Sequence, residues 1–315
     1  MKFAPIVLFT YKRLDTLQLT VEALQKNYLA ADSDLYIFSD AAKGELDAVA
    51  VIQVRKYIHS INGFKSIAIY ESELNKGLAT SIIEGVSQIL QVHESVIVME
   101  DDLIATPNFL NFMNGALDYF KNNEKIYAIN GYSVLIEDSL TNKDSLYFHA
   151  RASSWGWATW NDRWKKSIFD KKLIREKLDS DNLLLNRFNR IIGNDSSDML
   201  LGSLNGKNDS WYIRWVFDNF LNNKLSVYPY LSKVENIGFN SDATNCDGIS
   251  AYVSEVDMFN KVNFDFTNVI PLNKNDNRFL KYFSKKYKVI FRIKLLKSSV
   301  GRRKLINELK LKFNL

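Results

Sequence analysis

The 315-residue sequence contains one cysteine, Cys246, which excludes an intramolecular disulfide and a cysteine-based metal cluster. A protein with a single cysteine is typical of a reducing compartment. Histidine is scarce as well. His59, His93 and His149 lie far apart, and none has the i, i+4 partner of a zinc-protease helix. The sequence therefore contains no pattern typical of a zinc site.

Several familiar motifs are missing too. There is no Walker phosphate loop, no Rossmann glycine fingerprint and no Gly-x-Ser-x-Gly elbow, so Ser-His-Asp hydrolysis has no support. No window approaches the roughly 18–20 apolar residues that span a bilayer. The apolar run near the N-terminus, 5–10, is short and contains a proline, which favours a first strand over a signal peptide. We therefore expect a cytoplasmic protein.

Charge is unevenly distributed along the chain. The formal net charge is +5, but residues 274–315 contain 14 Lys and Arg against two acids and so carry +12, which leaves −7 for the rest. Apolar residues alternate with these cations, as in helices that lie on anionic lipid at the inner face of a membrane. The alternative is a helix packed on the protein with a solvated basic face. No nucleic-acid-binding module is recognisable, so we expect no nucleic-acid partner.

Short apolar runs alternate with helical periodicity over the first 125 residues. Strands are predicted at 5–10, 35–38, 66–70 and 95–99, and helices at 15–26, 48–58, 78–90 and 109–121. This order predicts an α/β fold with a mostly parallel central sheet flanked by helices. Ligands of such sheets bind beyond the carboxyl ends of the strands.

The alternation ends after Ile126, where an aromatic-rich region begins. A polar helical insert is predicted near 171–192, a helix at 211–222 and a strand at 225–230. We therefore expect residues 1–125 and 126–270 to form two halves of one domain that share a cleft. Residues 271–315 form the predicted basic helical tail.

Three consecutive acids, Glu100-Asp101-Asp102, follow the fourth apolar run. At the end of a buried strand they repel one another and raise their own pKa values. Mg²⁺ or Mn²⁺ removes this problem and completes its coordination shell with diphosphate oxygens and water. Alternatively, Asp101 or Asp102 caps the helix beyond Pro107, or the acids are solvated. Their position in the βαβ series favours the metal site.

Polar residues also follow the first two strands. Thr10, Tyr11 and Arg13 could frame the base, ribose and phosphate of a nucleotide, although Arg13 could instead be an exposed residue at a helix start. Asp40 could accept a hydrogen bond from a uracil N–H or a ribose hydroxyl. The alternative for Asp40 is a turn-forming residue before Gly44.

The sequence Asn75-Lys76-Gly77 precedes the third predicted helix. Backbone amides at a helix start, together with the lysine ammonium, could approach phosphates. A plain turn with Gly77 in a left-handed conformation explains the same residues.

An aromatic segment, Trp155-Gly156-Trp157-Ala158-Thr159-Trp160, places three tryptophans in six residues. Sugar faces stack on such rings, and glycine allows a ligand to approach the backbone, so Trp155, Gly156 and Trp157 are candidates for acceptor binding. A packed aromatic core is the alternative.

Asp209 precedes the helix predicted at 211–222. It could cap that helix, as could Ser210. It is also the best candidate for a general base that accepts a proton from an attacking sugar hydroxyl. Asp195, Asp198 and Asp218 are the rival carboxylates.

In their order along the chain, these motifs resemble the GT-A glycosyltransferases over roughly residues 4–248. The opening Pro5-Ile6-Val7-Leu8-Phe9-Thr10-Tyr11-Lys12-Arg13 is similar to the start of family 2 enzymes. Phe38-Ser39-Asp40, Asn75-Lys76-Gly77-Leu78-Ala79 and the acidic triplet follow in the expected order. The triplet resembles the "DXD" metal motif in its EDD form, which is found in N-acetylglucosaminyltransferase I.

Later segments are also similar to that enzyme: Gly156-Trp157, Asp209-Ser210-Trp211, Pro229-Tyr230-Leu231-Ser232-Lys233 and Asn236-Ile237-Gly238. One departure is Ser241-Asp242-Ala243-Thr244-Asn245-Cys246, where relatives have Gly-Ser-Gly-Thr-His-Cys. Asn245 thus replaces a histidine. The segment between Trp164 and Asn208 is also longer than in the eukaryotic enzyme.

The resemblance implies that Asp102 contacts Mn²⁺ or Mg²⁺ directly, that Asp40 contacts the nucleotide and that Asp209 is the base of an inverting reaction. The expected activity is transfer of a sugar from a nucleotide-sugar, UDP-linked by preference, to a glycan or lipid-linked glycan. A nucleotidyltransferase that releases pyrophosphate and a non-catalytic carbohydrate-binding module are the alternatives.

Overall fold

A computed structural model of the chain describes residues 3–136, 143–239, 251–259, 261–270, 272–273, 276–303 and 305–306, without the side chains of 166 and 167. The strands are β1 (Ile6–Thr10), β2 (Asp34–Ser39), β3 (Ser66–Glu71), β4 (Ser95–Glu100), β5 (Leu103–Ala105), β6 (Ile126–Asn130), β7 (Leu146–His149), β8 (Trp157–Trp160), β9 (Leu225–Pro229), β10 (Val234–Asn236) and β11 (Val269–Ile270). The helices are α1 (Leu14–Gln25), α2 (Glu45–Ile58), α3 (Gly77–Ile89), α4 (Phe109–Phe120), α5 (Lys171–Asp179), α6 (Leu184–Ile192), α7 (Ser196–Leu204), α8 (Trp211–Leu221), α9 (Asn277–Leu280) and α10 (Lys285–Leu295).

Nine of these strands form one sheet in the order β11-β7-β9-β6-β8-β4-β1-β2-β3, and β5 pairs with β10 in a separate ribbon. Five of the eight neighbouring pairs in the large sheet are parallel. The predicted α/β class with a mostly parallel central sheet is therefore confirmed. The first four strands also lie where the sequence predicted them.

Helices cover both faces of this sheet, and β1 shows why. Its side chains alternate between two cores: Ile6 and Leu8 pack with α1, α2 and α4, whereas Val7 and Phe9 pack with α3 and α8. A strand buried on both faces needs an uninterrupted apolar sequence, which β1 has. The first polar side chain of β1 is therefore at its carboxyl end, at Thr10.

The second half joins the same sheet through an antiparallel strand that the sequence did not predict. β8 lies between β4 and β6 and is antiparallel to both. Its first residue, Trp157, is fully buried and packs on Trp164, Trp211 and Trp215 at ring-centroid distances of 5.3, 5.1 and 4.7 Å. The aromatic-rich region is thus largely core.

The predicted helical insert near 171–192 consists of more than one helix. α5 ends at Asp179, and α6 ends before Gly193, which has a φ of +128° that only glycine adopts without strain. α7 follows. Together these helices pack on α8 and cover the tryptophan core.

The basic C-terminal segment has two different parts. Residues 276–283 belong to the body, since Phe279 is fully buried and its ring lies 4.0 Å from that of His149 and 5.5 Å from that of Tyr228. α10 then lies at the surface without a buried residue. None of the described helices combines the length and the apolar content that crossing a membrane requires.

Replacing Phe279 tests whether the C-terminal segment is part of the core. Phe279→Ala removes a fully buried ring, so we expect the free energy of unfolding to fall by about 3–5 kcal/mol in urea denaturation. The control is Phe259→Ala, whose ring is 57% exposed and whose loss should change stability by about 0.5 kcal/mol or less. Equal stability of the two variants would contradict the packing of residues 276–283.

Candidate functional site

A cavity of about 900 Å³ opens at the carboxyl ends of β1, β2 and β4. The second half and the C-terminal segment supply its other walls. Of the residues predicted from the sequence, those that line it are Thr10, Tyr11, Arg13, Asp40, Asn75, Gly77, Glu100, Asp101, Asp102, Trp155 and Asp209. The structure thus brings most of the predicted site residues to one cavity.

Arg13 organises the acidic turn after β4. Its Nη2 donates to Oδ1 of Asp101 at 2.6 Å and to Oδ2 of Asp102 at 2.8 Å. Asp101 also accepts from the hydroxyl of Thr10 at 3.0 Å and from the amide of Tyr11 at 3.2 Å. The loop after β1 and the turn after β4 are therefore joined, because their strands are neighbours in the sheet. Arg13 is an internal counter-ion and not the exposed helix-start residue of the alternative interpretation.

The charge of this turn is only partly compensated. Burial, followed by the negative charges of Asp102 and Asp101, raises the pKa of Glu100 to about 8. Burial also raises the pKa of Asp101, against the opposing effect of Arg13. At neutral pH Glu100 is therefore mostly protonated, and two aspartates face one guanidinium. A negative charge remains when both aspartates are ionised.

This donor set fits a metal ion shared with a substrate. Within the described ranges, no three His, Cys, Asp or Glu side chains form a group that could hold a metal by themselves. Asp102 lines the cavity, and only its Oδ2 accepts from Arg13. Mg²⁺ characteristically takes one or two carboxylates and completes its shell with phosphates and water. Asp102 suits that role, whereas Asp101 is already held by three donors.

Gly238 makes room for the Asp102 side chain. A Cβ atom built on Gly238 would overlap Oδ2 of Asp102. The backbone there is fixed, since the amide of Ile237 donates to the carbonyl of Asp102 at 2.9 Å. The predicted loop Ser241-Asp242-Ala243-Thr244-Asn245-Cys246 lies outside the described residues.

Asp40 positions a turn, which differs from the predicted contact with a nucleotide. Its carboxylate accepts from the amides of Ala41, Lys76 and Gly77, each at 2.9 Å, and from the side chain of Asn75 at 3.2 Å. A carboxylate has about four lone-pair sites, so these four donors occupy them. Asp40 therefore offers no open acceptor to a base or ribose in this structure.

Lys76 lies apart from the cavity, while its predicted role near phosphates stays a prediction. Its ammonium lies 2.8 Å from Glu84 on the outer side of α3 and does not line the cavity. The amides of Lys76 and Gly77 donate to Asp40, so they are not free to bind phosphate. Gly77 has a φ of +73°, as the plain-turn interpretation expects.

Tyr11 is anchored by residues that the sequence analysis missed. Its hydroxyl donates to Asp47 at 2.7 Å and accepts from the amide of Lys43 at 2.9 Å. Burial, followed by the hydrogen bond to Asp47, raises the pKa of Tyr11 to about 12. Lys12 also pairs with Asp47 at 2.8 Å. An acid in the first turn of a helix, as Asp47 is in α2, is too ordinary a signal to reveal this contact.

Trp155, Gly156 and Trp157 lie in different surroundings. Trp155 lines the cavity and contacts the rings of Tyr132 and Tyr252 at 4.6 and 5.7 Å. Gly156 is buried with a φ of +62°, and its carbonyl accepts from the amide of Gly131 at 2.6 Å. Trp157 is fully buried in β8. Of the three, only Trp155 presents a side chain to the cavity, and acceptor contacts by Gly156 and Trp157 stay a prediction.

Asp209 lies at the mouth of the cavity, one residue before the cap of α8. Ser210, and not Asp209, caps this helix by accepting from the amide of Ile213 at 3.4 Å. The Asp209 side chain is 60% exposed and lies 3.7 Å from Arg214. Asp195, by comparison, is 14% exposed and is held by Arg151 at 2.8 Å, so Asp209 is the more accessible of the two carboxylates.

Five cations in the cavity wall were not predicted as site residues: Lys12 and Lys43 near Asp47, and Arg151, Lys288 and Arg292. Arg151 follows β7, and Lys288 and Arg292 lie on α10. The i, i+4 spacing of Lys288 and Arg292 within the basic tail indicates that these two residues share a helix face. What that face contacts could not be derived from the sequence.

Among solved structures, the chain is similar to the mannosyltransferase PcManGT from Pyrobaculum calidifontis in complex with GDP-Man and Mn²⁺, at 11% identity and a TM-score of 0.35, over 54% of this chain and 46% of that one. It is also similar to S. aureus TarS 1-349, at 14% identity and a TM-score of 0.33, over 51% of this chain and 47% of that one. For the complex of TarS 1-349 with UDP, the identity is 16% and the TM-score 0.31, over 41% of this chain and 35% of that one. The match thus spans less than half the length of each of these proteins. Similarities of this size do not establish a function.

No protein-family model and no curated protein matches the chain.

Removing the Arg13 charge tests its role as counter-ion. Arg13→Met leaves two buried aspartates without their partner, so we expect the free energy of unfolding in EDTA to fall by about 3 kcal/mol. Mn²⁺ should raise the melting temperature more in this variant than in the unsubstituted protein, because a bound cation replaces the lost charge. The control is Arg187→Met, which removes an exposed pair with Asp181. An unchanged melting temperature in EDTA would refute this role.

Proposed function

We propose that the protein is a glycosyltransferase that uses a nucleotide-diphosphate sugar, preferably UDP-linked, and Mn²⁺ or Mg²⁺. The observation that carries this proposal is the acidic turn after β4, held by Arg13 beside Thr10 and Tyr11 and open to the 900 Å³ cavity. A nucleotide-sugar requires such a combination of a roomy cleft, a hard cation site and polar groups at neighbouring strand ends. The motif resemblance to GT-A enzymes supports the same activity.

Asp102 would hold the metal ion. When bound, the ion neutralises the charge that develops on the departing diphosphate. Asp101 has a different task, since its three hydrogen bonds fix the loop after β1 to the turn after β4. Arg13 keeps Asp102 oriented towards the cavity and lowers the repulsion between the two aspartates.

The loop after β1 would position the nucleotide. Phe9 and Phe38 line the cavity and stack at 5.3 Å, which gives its donor end an apolar wall. Tyr11 is fixed by Asp47 and Lys43, so its ring offers a rigid edge for a flat base. Asp40 supports this end indirectly by holding the 75–77 turn.

Asp209 and Trp155 would serve the acceptor. Trp155 offers a ring on which a sugar face can stack. Asp209 would accept the proton of the attacking hydroxyl while that oxygen bonds to the anomeric carbon and the UDP oxygen leaves on the opposite side. This direct displacement inverts the anomeric centre. We propose a glycan or lipid-linked glycan as the acceptor.

Two variants test the chemistry, with UDP release from UDP-glucose, UDP-galactose and UDP-N-acetylglucosamine as the measurement. Asp102→Asn weakens the metal site and should lower the rate by about 100-fold or more. Asp209→Asn removes the base and should lower it by about 100- to 10,000-fold. EDTA should abolish UDP release by the unsubstituted protein.

Asp198→Asn is the control, because Asp198 is an exposed carboxylate that pairs with Lys285 away from the cavity. Full UDP release by both Asp102→Asn and Asp209→Asn would overturn the mechanism. Pyrophosphate release from UTP would favour a nucleotidyltransferase instead. Sugar binding that needs neither metal nor nucleotide would favour a carbohydrate-binding module.

We also propose that α10 rests on an anionic membrane surface. It exposes Val289 and Ile293 at i, i+4, and Leu296 and Val300, which follow the end of α10, are exposed as well. Lys294, Lys297 and Arg302 flank these apolar residues. Apolar side chains combined with flanking cations are typical of helices at the surface of anionic bilayers.

Vesicle sedimentation tests this contact. The protein should bind vesicles that contain phosphatidylglycerol more tightly than pure phosphatidylcholine vesicles, and added salt should weaken the binding. Val289→Asp with Ile293→Asp should reduce it by more than about tenfold, because each buried apolar side chain contributes about 1.5 kcal/mol or more. The control is Val92→Asp, which alters an exposed apolar residue outside the C-terminal segment. If Val92→Asp reduced vesicle binding as much as the double variant, the assignment of the membrane contact to α10 would be wrong.

A further inference from the structure

One part of the cavity wall is positively charged and lies away from the acidic turn. Arg151, Lys288 and Arg292 line the cavity there. Lys288 and Arg292 occupy successive turns of α10 and line the cavity together. We refer to Arg151, Lys288 and Arg292 as the cationic wall.

Arg151 is held rigidly within this wall. It is 3% exposed, and its Nη1 donates to Asp195 at 2.8 Å and to the carbonyl of Ile192 at 3.1 Å. The guanidinium also lies 3.9 Å from the ring centre of Phe283. A Cβ atom at Gly193 would press on both Phe283 and Arg151, so glycine is needed for this close packing.

Among the described residues, one carboxylate faces both Arg151 and Lys288. Asp195 binds Arg151 at 2.8 Å and lies 3.8 Å from the ammonium of Lys288. Arg292 lies one turn after Lys288 and lines the same cavity. A buried arginine and a lysine that share one carboxylate favour binding of an anion, and arginine and lysine are the side chains that bind phosphate best.

The sheet separates this wall from the proposed metal site. The carbonyl of Arg151 accepts from Ser226 and Tyr228, both at 2.8 Å and both on β9. β9 is three strands away from β4 in the sheet order. At about 4.8 Å per strand the separation is roughly 14 Å, which exceeds the length of a diphosphate. We therefore expect a donor diphosphate at Asp102 and an anion at the cationic wall to be separate groups.

Aromatic rings connect the cationic wall to Trp155. Tyr252 lies 5.6 Å from Phe283 and 5.7 Å from Trp155, and the ammonium of Lys288 lies 5.8 Å from the centre of the Tyr252 ring. A ligand held by the cations can thus extend along apolar ring faces towards the proposed acceptor end of the cavity.

We propose that the cationic wall binds a phosphate or diphosphate group of the acceptor, so that the acceptor of this enzyme is a phosphorylated molecule. This inference rests on the proposed glycosyltransferase function. Two kinds of acceptor carry such a group: a prenyl diphosphate carrier and a polyol phosphate.

Calorimetric titration in EDTA tests the proposal, because the metal-dependent donor site is then inactive while Arg151, Lys288 and Arg292 keep their charge. The probes are farnesyl diphosphate and glycerol 3-phosphate, and farnesol and glycerol are their neutral controls. At least one phosphorylated probe should bind, and its neutral control should bind at least about tenfold more weakly. The probe that binds identifies a lipid carrier or a polyol phosphate as the source.

Lys288→Gln with Arg292→Gln should weaken binding of that probe by at least about tenfold, since each charged contact contributes about 1.5 kcal/mol or more. The matched control is Lys286→Gln, which removes an exposed charge from the same helix outside the cavity. It should bind the probe as the unsubstituted protein does. Equal binding of phosphorylated and neutral probes, or no effect of the double variant, would overturn the proposal.

Binding of UDP with Mn²⁺, measured in the same variants, separates this inference from the proposed function. UDP affinity should be unchanged by Lys288→Gln with Arg292→Gln. A loss of UDP affinity would assign these cations to the donor diphosphate and overturn the acceptor subsite. Failure of the unsubstituted protein to bind UDP would instead contradict the proposed function, whatever the phosphorylated probes do.

Discussion

The interaction between Arg13 and the two aspartates after β4 is the constraint on which the site depends. A parallel sheet places the ends of β1 and β4 side by side, and the carboxylates that gather there repel one another. Arg13 reduces this repulsion without removing it, because one guanidinium faces Asp101 and Asp102. The remaining negative charge favours a divalent cation, and the proposed diphosphate binding depends on that cation.

The first half could be predicted from the sequence because local signals suffice there. A strand buried on both faces must be apolar throughout, and the helices between such strands show a clear 3.6-residue period, as with Leu17, Val21 and Leu24 in α1. The ends of these strands then locate Thr10, Arg13 and Asp102 at one edge of the sheet. Chain order and periodicity contain all this information.

The second half was less predictable because its structure depends on contacts between distant residues. Nothing local distinguishes Trp155, which faces the cavity, from Trp157, which is buried in β8. The hydrogen bonds of Asp40 were hidden for a related reason: its four donors come from two different loops. The cations Lys288 and Arg292 are visible in the sequence as charge, but only the three-dimensional structure shows that they line the cavity.

The place of β8 in the sheet has a consequence for how the chain can be divided. β8 covers the edge of β4 and joins it to β6, so the two halves share one continuous sheet. A fragment that stopped at residue 125 would expose β4 as an apolar edge strand with unpaired amides and carbonyls. Such edges recruit other strands and promote aggregation. We therefore expect residues 1–125 and the second half to fold as one unit.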